Sequence, residues 1–178
     1  LGGEGVAYHD LTPANTGGQY RTSEGVDIVA STDTQGGGHA INNFQTGEWV
    51  AYSVNVATEK SYDLAIYAST NQTTPAAFRI EVDGTNVTGS VTVPKTASWT
   101  TFQWVGKQGV KLTAGKHVIK VVSEQQYFNM SAVSVLESAT QPGQTPATGG
   151  PTVSLTSPSS GQVVSGTAVP YAANVGST

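Results

Sequence analysis

The feature that most limits how this chain can fold is a series of short segments in which apolar and polar residues alternate. In the segment FRIEV, Phe78, Ile80 and Val82 alternate with Arg79 and Glu81. Successive residues of a β-strand point to opposite faces, so this period of two predicts a strand with one buried face. None of these segments shows the periodicity of an amphipathic helix.

Seven such segments occur between residues 48 and 137, separated by residues that favour turns. Gly84 and Gly115 suit tight turns because glycine adopts positive φ angles without a steric penalty. Short strands at this spacing are typical of an all-β fold, and we predict a β-sandwich of the jelly-roll type. The predicted strands span residues 48–56, 62–69, 77–84, 91–94, 100–105, 116–123 and 130–137.

The composition changes after residue 138 and divides the chain into three parts. Residues 139–150 carry no large apolar side chain and are rich in Pro, Gly, Thr and Gln, which predicts a flexible linker. Residues 151–178 alternate again, and we interpret them as the truncated start of an immunoglobulin-like domain, too short to bury such a core alone. Residues 1–138 are therefore expected to form the one complete domain.

Charge and cysteine content exclude several classes of function. Charged residues make up only 11% of the chain, and the net charge is -4. A phosphate-tracking surface needs clustered Lys and Arg, so we expect no nucleic-acid partner. No apolar stretch approaches the roughly 20 residues of a membrane-spanning helix, so we expect no membrane partner. The absence of cysteine excludes disulfides, thiolate metal sites and a cysteine nucleophile.

The sequence contains no recognisable catalytic motif, such as the G-x-S-x-G or H-E-x-x-H pattern. The histidines His9, His39 and His117 form no motif with one another or with a nucleophile. Twelve acidic residues leave a carboxylate pair open on spacing alone, but no two are marked as the acid and base of a hydrolase. We therefore expect no catalytic residues, with a hydrolase as the alternative.

Several motifs occur in an order that resembles carbohydrate-binding module family 6, over about residues 3–137. They are YHD followed by GGQYR and GVDI, GEW before a strand, a lone tryptophan after a VP loop, LTAGKH, and a late FN. The resemblance implies a jelly-roll β-sandwich that binds polysaccharide, carries no catalysis and accompanies secreted bacterial glycoside hydrolases. We therefore expect a secreted, monomeric module whose partners are a polysaccharide and a parent glycoside hydrolase domain in the same chain.

The resemblance also implies where the sugar binds. The family's main site lies on loops at one edge of the sandwich, where two aromatic rings enclose a sugar and an asparagine bonds its hydroxyls. Trp99 matches the loop tryptophan and Asn129 matches the asparagine. The second aromatic is expected four residues before the glycine of GEW, where this chain has Asn43. The candidates to complete that wall are Asn42, Asn43, Tyr127 and Tyr20.

The main aromatic and amide candidates also have structural alternatives. Trp99 could pack in the core, and Asn129 could cap a turn. Phe102 and Trp104 are expected in the core, because they share one face of a predicted strand. Trp49 is expected in the core, with a second binding surface on the sheet as the alternative.

The resemblance to family 6 also bears on calcium. The family usually holds a structural Ca²⁺ with acids from a first strand, expected before Gly2, and with groups near the last strand. That first strand is missing, and Ser131 stands where a late aspartate is common. Calcium binds six to eight oxygen ligands. The remaining candidate ligands are Glu4, Asp10 and Glu137. A structural Ca²⁺ is possible, and its ligands are unknown.

A neutral polysaccharide suits this composition. A sugar ring has an apolar C–H face that an aromatic ring can cover, and amides can donate to and accept from its hydroxyls. The opening motif is of the kind found beside agarases and laminarinases. We therefore favour agarose or a related marine galactan, then the β-1,3-glucan laminarin, then xylan. A structural or adhesion β-sandwich without a sugar site is the alternative from another class.

Overall fold

The computed structural model describes residues 2–33 and 35–138 as two antiparallel β-sheets, which confirms the predicted β-sandwich. Within these residues, no helix is long and apolar enough to cross a membrane. The predicted linker 139–150 and the predicted immunoglobulin-like segment 151–178 lie outside the described residues. The strands are β1 (Tyr8–His9), β2 (Ile28–Ala30), β3 (His39–Phe44), β4 (Trp49–Val56), β5 (Lys60–Ser69), β6 (Ala76–Val82), β7 (Thr85–Asn86), β8 (Val91–Val93), β9 (Gln103–Leu112), β10 (Gly115–Gln125) and β11 (Phe128–Glu137).

Each of the seven predicted strands overlaps an observed strand, but the boundaries of one differ in a way that matters for the site. We predicted a strand over residues 100–105, whereas β9 begins at Gln103 and continues to Leu112. Residues 94–102 form an irregular loop before it, with Trp99 in a turn. Trp99 therefore does not belong to a strand.

The two sheets enclose one main core. The six-stranded sheet has the order β1-β4-β10-β6-β7, with β8 also paired to β6, and the five-stranded sheet has the order β2-β3-β11-β5-β9. Ile66 and Phe78 are fully buried between them, and Phe44 packs edge-on against Phe128 with ring centroids 5.2 Å apart. Burial of each such side chain contributes about 1.5–3 kcal/mol to stability.

A second, smaller apolar cluster lies on the outer face of the five-stranded sheet. Tyr67 follows the core residue Ile66 in β5 and so points the other way. Its ring stacks on Phe102 at 5.5 Å and lies 4.9 Å from the ring of Trp104, its partner on β9. The expected core position is confirmed for Phe102, which is buried in this second cluster; Trp104 packs against the cluster half-buried, and neither residue lies in the main core.

Four loops cross between the sheets at the same end of the sandwich. They connect β3 to β4, β5 to β6, β8 to β9, and β10 to β11. The register places these ends together, because Phe44 pairs with Phe128 and Ser69 pairs with Asn129. We call this end the rim; it consists of residues 45–48, 70–75, 94–102 and 126–127.

Candidate functional site

Trp99 lies in the rim, half-buried, in the loop that leads into β9. Its carbonyl oxygen accepts a hydrogen bond from Ser69 Oγ at 2.6 Å and another from Asn129 Nδ2 at 2.9 Å. The start of the same loop is held by Thr96, whose N–H donates to the carbonyl of Thr70 at 2.7 Å. The Trp99 loop is therefore tied to β5, to β11 and to the neighbouring rim loop.

Asn129 is the second residue of β11 and is only 5% exposed. Its Oδ1 accepts the backbone N–H of Asn43 at 3.0 Å, while its Nδ2 donates to the Trp99 carbonyl. One side chain thus bridges the backbones of the two residues that the sequence placed on opposite walls of the site. The structure brings Trp99, Asn43 and Asn129 together.

Asn43 stands where β3 becomes irregular beside the rim. Its side chain is exposed and its φ is 51°, in the left-handed region that asparagine tolerates better than most residues. The ladder between β3 and β11 shifts register between Ile41 and Phe44, which is a bulge. Asn42 is half-buried, and its N–H donates to the carbonyl of Asp27 at 2.9 Å. The bulge therefore exposes Asn43 and leaves Asn42 tied to the segment before β2.

Tyr127 belongs to the same rim. Its side chain is half-buried, and its carbonyl oxygen accepts hydrogen bonds from Thr70 Oγ1 and Gln72 Nε2, both at 2.8 Å. These bonds join the β5–β6 loop to the β10–β11 loop. Tyr127 is thus held in the loop that leads into β11, two residues before Asn129.

Tyr20 lies elsewhere. It is 51% exposed, and its ring packs edge-on against His39 with centroids 4.3 Å apart. His39 begins β3, whereas Asn43 is near its end, so the two lie about four strand residues apart along the sheet. The structure does not bring Tyr20 to the wall opposite Trp99.

A second surface lies on the outer face of the six-stranded sheet. It is an open groove with a volume of about 500 Å³. Trp49 forms part of its floor, and Lys120 Nζ stands 4.5 Å from the centroid of the Trp49 ring. Arg79 pairs with Glu81 at 2.7 Å and with Glu124 at 3.2 Å. We call this surface the groove. Trp49 is half-buried and lies outside the core, so its expected place in the core is wrong.

Two loops form the boundary between the rim and the groove. The N–H of Thr46 donates to Gln126 Oε1 at 3.3 Å, and the N–H of Gln126 donates to Thr46 Oγ1 at 3.0 Å. The N–H of Gly47 donates to the carbonyl of Ser123 at 2.9 Å. The sequence did not predict the groove, although Arg79, Glu81 and Lys120 occupy polar positions in strands where apolar and polar residues alternate.

A buried carboxylate holds the turn that leads into Trp49. Glu48 is 3% exposed and accepts the N–H of Leu11 at 3.1 Å and of Gln45 at 2.8 Å. Burial raises the pKa of Glu48, although these two hydrogen bonds act in the opposite direction. The carboxylate therefore serves two backbone donors inside the protein.

The three candidate calcium ligands do not meet in one place. Glu4 bonds to His9 and to the N–H of Asp10, and Asp10 accepts two bonds from Thr12. Glu137 pairs with Lys60 on another part of the surface. Among residues 2–33 and 35–138, no three His, Asp or Glu side chains converge as metal ligands do. Calcium binding stays a prediction from the resemblance.

Sequence comparisons identify two similarities. A family model described as carbohydrate binding module (family 6) matches residues 17–137. Over 124 residues the chain is 28% identical to an alpha-agarase from Alteromonas agarilytica. That match covers 69% of this chain but 8% of the agarase, so the chain spans less than a tenth of that relative's length.

Structural comparisons agree with the two-sheet architecture. The C-terminal family 6 module of LamC, a marine laminarinase from Zobellia galactanivorans, matches with a TM-score of 0.56 at 19% identity, covering 63% of this chain and 88% of that chain. A family 6 module of lichenase 5A from Cellvibrio mixtus, solved in complex with cellotriose, matches with a TM-score of 0.54 at 25% identity, covering 65% of this chain and 88% of that chain.

Proposed function

The chain belongs to the carbohydrate-binding module family 6, and we propose that it binds a neutral galactan of the agarose type at the rim around Trp99. It is a non-catalytic carbohydrate-binding module. The observation that carries the galactan proposal is that Asn129 bonds to the backbones of one aromatic residue, Trp99, and one exposed amide residue, Asn43.

The stereochemistry of the sugar explains this preference. A glucose or xylose ring carries its hydroxyls equatorially, so both of its faces present C–H groups and both can stack on aromatic rings. A galactose ring has an axial O4, which makes one face polar and leaves the other apolar. A site that offers the Trp99 indole to one face and the Asn43 amide to the other would match one apolar and one polar face. The two hydrogen bonds of Asn129 hold the backbones of both residues beside each other, which supports this arrangement.

The energetics of one stacked ring set the expected affinity. A sugar face covers roughly 60 Å² of an indole, which contributes about 1.5 kcal/mol at about 25 cal/mol per Å². A module with one such contact binds in the high-micromolar range, which corresponds to roughly 5–6 kcal/mol. Removal of the indole therefore removes about a quarter of the binding free energy, which is about a tenfold loss of affinity.

The identity to an alpha-agarase supports a galactan as the ligand. The match to a laminarinase module supports the β-1,3-glucan laminarin as the second candidate, and xylan is the third. We further propose that this module is secreted as part of a glycoside hydrolase and targets that enzyme to its polysaccharide. A binding module in the same chain as the catalytic domain raises the effective concentration of that domain at the polysaccharide.

The test is affinity electrophoresis of residues 1–178 in gels that contain agarose, laminarin, xylan or cellulose. We expect retardation by agarose, and we expect Trp99→Ala to weaken it at least about tenfold, or about 1.4 kcal/mol. Trp49→Ala, which removes the aromatic ring of the groove, is the matched control and should retain most of the retardation.

Four outcomes would contradict the proposal. Retardation by laminarin or xylan but not by agarose would replace the galactan with that ligand. Loss of binding in Trp49→Ala, with binding intact in Trp99→Ala, would move the site to the groove. Absence of retardation in all four gels would favour a structural or adhesion role, and release of reducing sugar would favour a hydrolase.

A further inference from the structure

We propose that Asn129 is a positioning residue of the sugar site, which holds the backbones of Trp99 and Asn43 in place. The proposal rests on the function proposed above, because it concerns the same site. It goes beyond what the family resemblance implies for this residue, namely a direct hydrogen bond from the asparagine to sugar hydroxyls.

The burial of Asn129 is the first step. The side chain is only 5% exposed, so little of its surface is open to a ligand. An asparagine amide offers one carbonyl oxygen and two N–H donors. The oxygen already accepts the Asn43 N–H at 3.0 Å, and the nitrogen already donates to the Trp99 carbonyl at 2.9 Å. Both polar atoms of the Asn129 side chain therefore make a hydrogen bond to a backbone group of the site.

The position of Ser69 is the second step. Ser69 on β5 and Asn129 on β11 are direct partners in the ladder of the five-stranded sheet. Both side chains donate to the same acceptor, the carbonyl oxygen of Trp99, at 2.6 and 2.9 Å. Both residues are buried, Ser69 at 0% exposure. Two adjacent strands thus hold one peptide group of the loop that presents the indole.

The two halves of the Asn129 amide can be separated by substitution. Asn129→Asp keeps an oxygen for the Asn43 N–H but places a second oxygen against the Trp99 carbonyl. Two acceptors repel each other, so this nearly isosteric change releases Trp99 and retains the bond to Asn43. Ser69→Ala removes the other donor to the same carbonyl. Both changes should therefore displace the Trp99 loop.

The experiment follows Trp99 directly. The chain has three tryptophans, so Trp49→Phe combined with Trp104→Phe leaves Trp99 as the single indole. In this background, acrylamide quenching of Trp99 fluorescence is measured without ligand, and the dissociation constant is measured with an agarose-derived oligosaccharide. Thermal unfolding is recorded for every variant to show that the sandwich is folded.

We expect Asn129→Asp to raise the quenching constant of Trp99 at least about twofold and to weaken oligosaccharide binding about tenfold. Ser69→Ala should change both quantities in the same direction. The double variant should lose less affinity than the product of the single losses, because both residues act through one carbonyl.

A loss of affinity in Asn129→Asp with unchanged Trp99 quenching would overturn the proposal and assign Asn129 a direct contact with the sugar. Unchanged quenching and affinity in both single variants would also overturn it. A third outcome is that Asn129→Asp and Ser69→Ala alter the quenching of Trp99, while the protein with only the two tryptophan substitutions binds none of the four polysaccharides. The role of Asn129 in the loop would then stand, and the proposed function would be overturned.

Discussion

His117 and Asp83 form an ion pair that joins the start of β10 to the turn after β6, at the end of the sandwich far from the rim. His117 Nδ1 lies 2.7 Å from Asp83 Oδ2, and His117 Nε2 lies 2.9 Å from the carbonyl oxygen of Thr113. Asp83 Oδ1 accepts the N–H of Val118 at 2.8 Å. Only a protonated imidazole can donate to both acceptors at once, so this geometry favours the charged form of His117.

This pair predicts a pH-dependent stability. The hydrogen bond to Asp83, followed by the one to Thr113, raises the pKa of His117, and the hydrogen bond from His117 lowers the pKa of Asp83. A raised histidine pKa stabilises the fold fully below the ordinary value of about 6.5, and this stabilisation is lost as pH rises through the raised pKa. The contribution of Asp83 is lost as pH falls through its lowered pKa.

We expect His117→Gln to lower the free energy of unfolding by about 0.5 kcal/mol near pH 5, as is typical of a partly exposed pair. The difference from wild type should shrink near pH 9. Urea unfolding at both pH values measures it, with Lys116→Gln, an exposed neighbour on β10, as the control. An equal difference at both pH values would show that the pair does not titrate as described.

Asn43→Tyr is expected to change the ligand preference of the rim. A second aromatic ring opposite Trp99 would favour sugars with two apolar faces, so binding of cellulose or xylan oligosaccharides should improve about tenfold relative to agarose oligosaccharides. Tyrosine can adopt a left-handed φ, as Tyr20 does at 53°, but it costs about 1 kcal/mol of stability at such a position. Isothermal titration with each oligosaccharide measures the preference, and Asn43→Ala controls for loss of the amide. A ranking unchanged by tyrosine would count against Asn43 as a wall of the site.

Glu48→Ala is expected to destabilise the fold by about 2–3 kcal/mol. The substitution leaves the N–H groups of Leu11 and Gln45 without their acceptor, and unpaired buried donors cost about 1–3 kcal/mol each. Urea unfolding near neutral pH measures the loss, and Glu59→Ala at an exposed position should change little. Equal stability of the two variants would mean that water replaces the Glu48 carboxylate at no cost.

Gly106→Ala is expected to be among the most destabilising alanine substitutions in the five-stranded sheet. A Cβ at this position would stand 2.0 Å from the carbonyl oxygen of Leu64 and 2.5 Å from the Cα of Ala65, so β5 and β9 would have to separate. We expect a loss of about 3 kcal/mol. Gly109→Ala on the same strand has open space but a φ of 71°, and should cost about 1 kcal/mol. Similar losses of stability in Gly106→Ala and Gly109→Ala, measured by thermal unfolding, would refute the steric explanation.

The sequence predicted the strands with strong alternation and missed those without it. β6 was recognised because Phe78, Ile80 and Val82 repeat every second residue and all three are buried. β1 and β2 were missed because they have only two and three residues, too few for a period of two to show. Local pattern therefore decided which strands could be found.

The site was predictable only in part. The family resemblance placed Trp99 and Asn129 in one site, and the structure brings them together. The hydrogen bond from Ser69 to the Trp99 loop spans 30 residues, and no local pattern indicates such a contact. Tyr20 was a candidate because of its residue type alone, and its actual neighbour is His39. Contacts between distant loops depend on the register of both sheets, which a single sequence does not specify.

The two hydrogen bonds on the Trp99 carbonyl have a thermodynamic consequence. Because strand residues hold this peptide group in the folded protein, the loop is immobilised before a saccharide arrives. Binding then loses little loop entropy, and the ordering cost is confined to the saccharide and the side chains that it meets. A small, shallow contact can bind measurably under these conditions, since folding has already removed the freedom that association would otherwise have to remove.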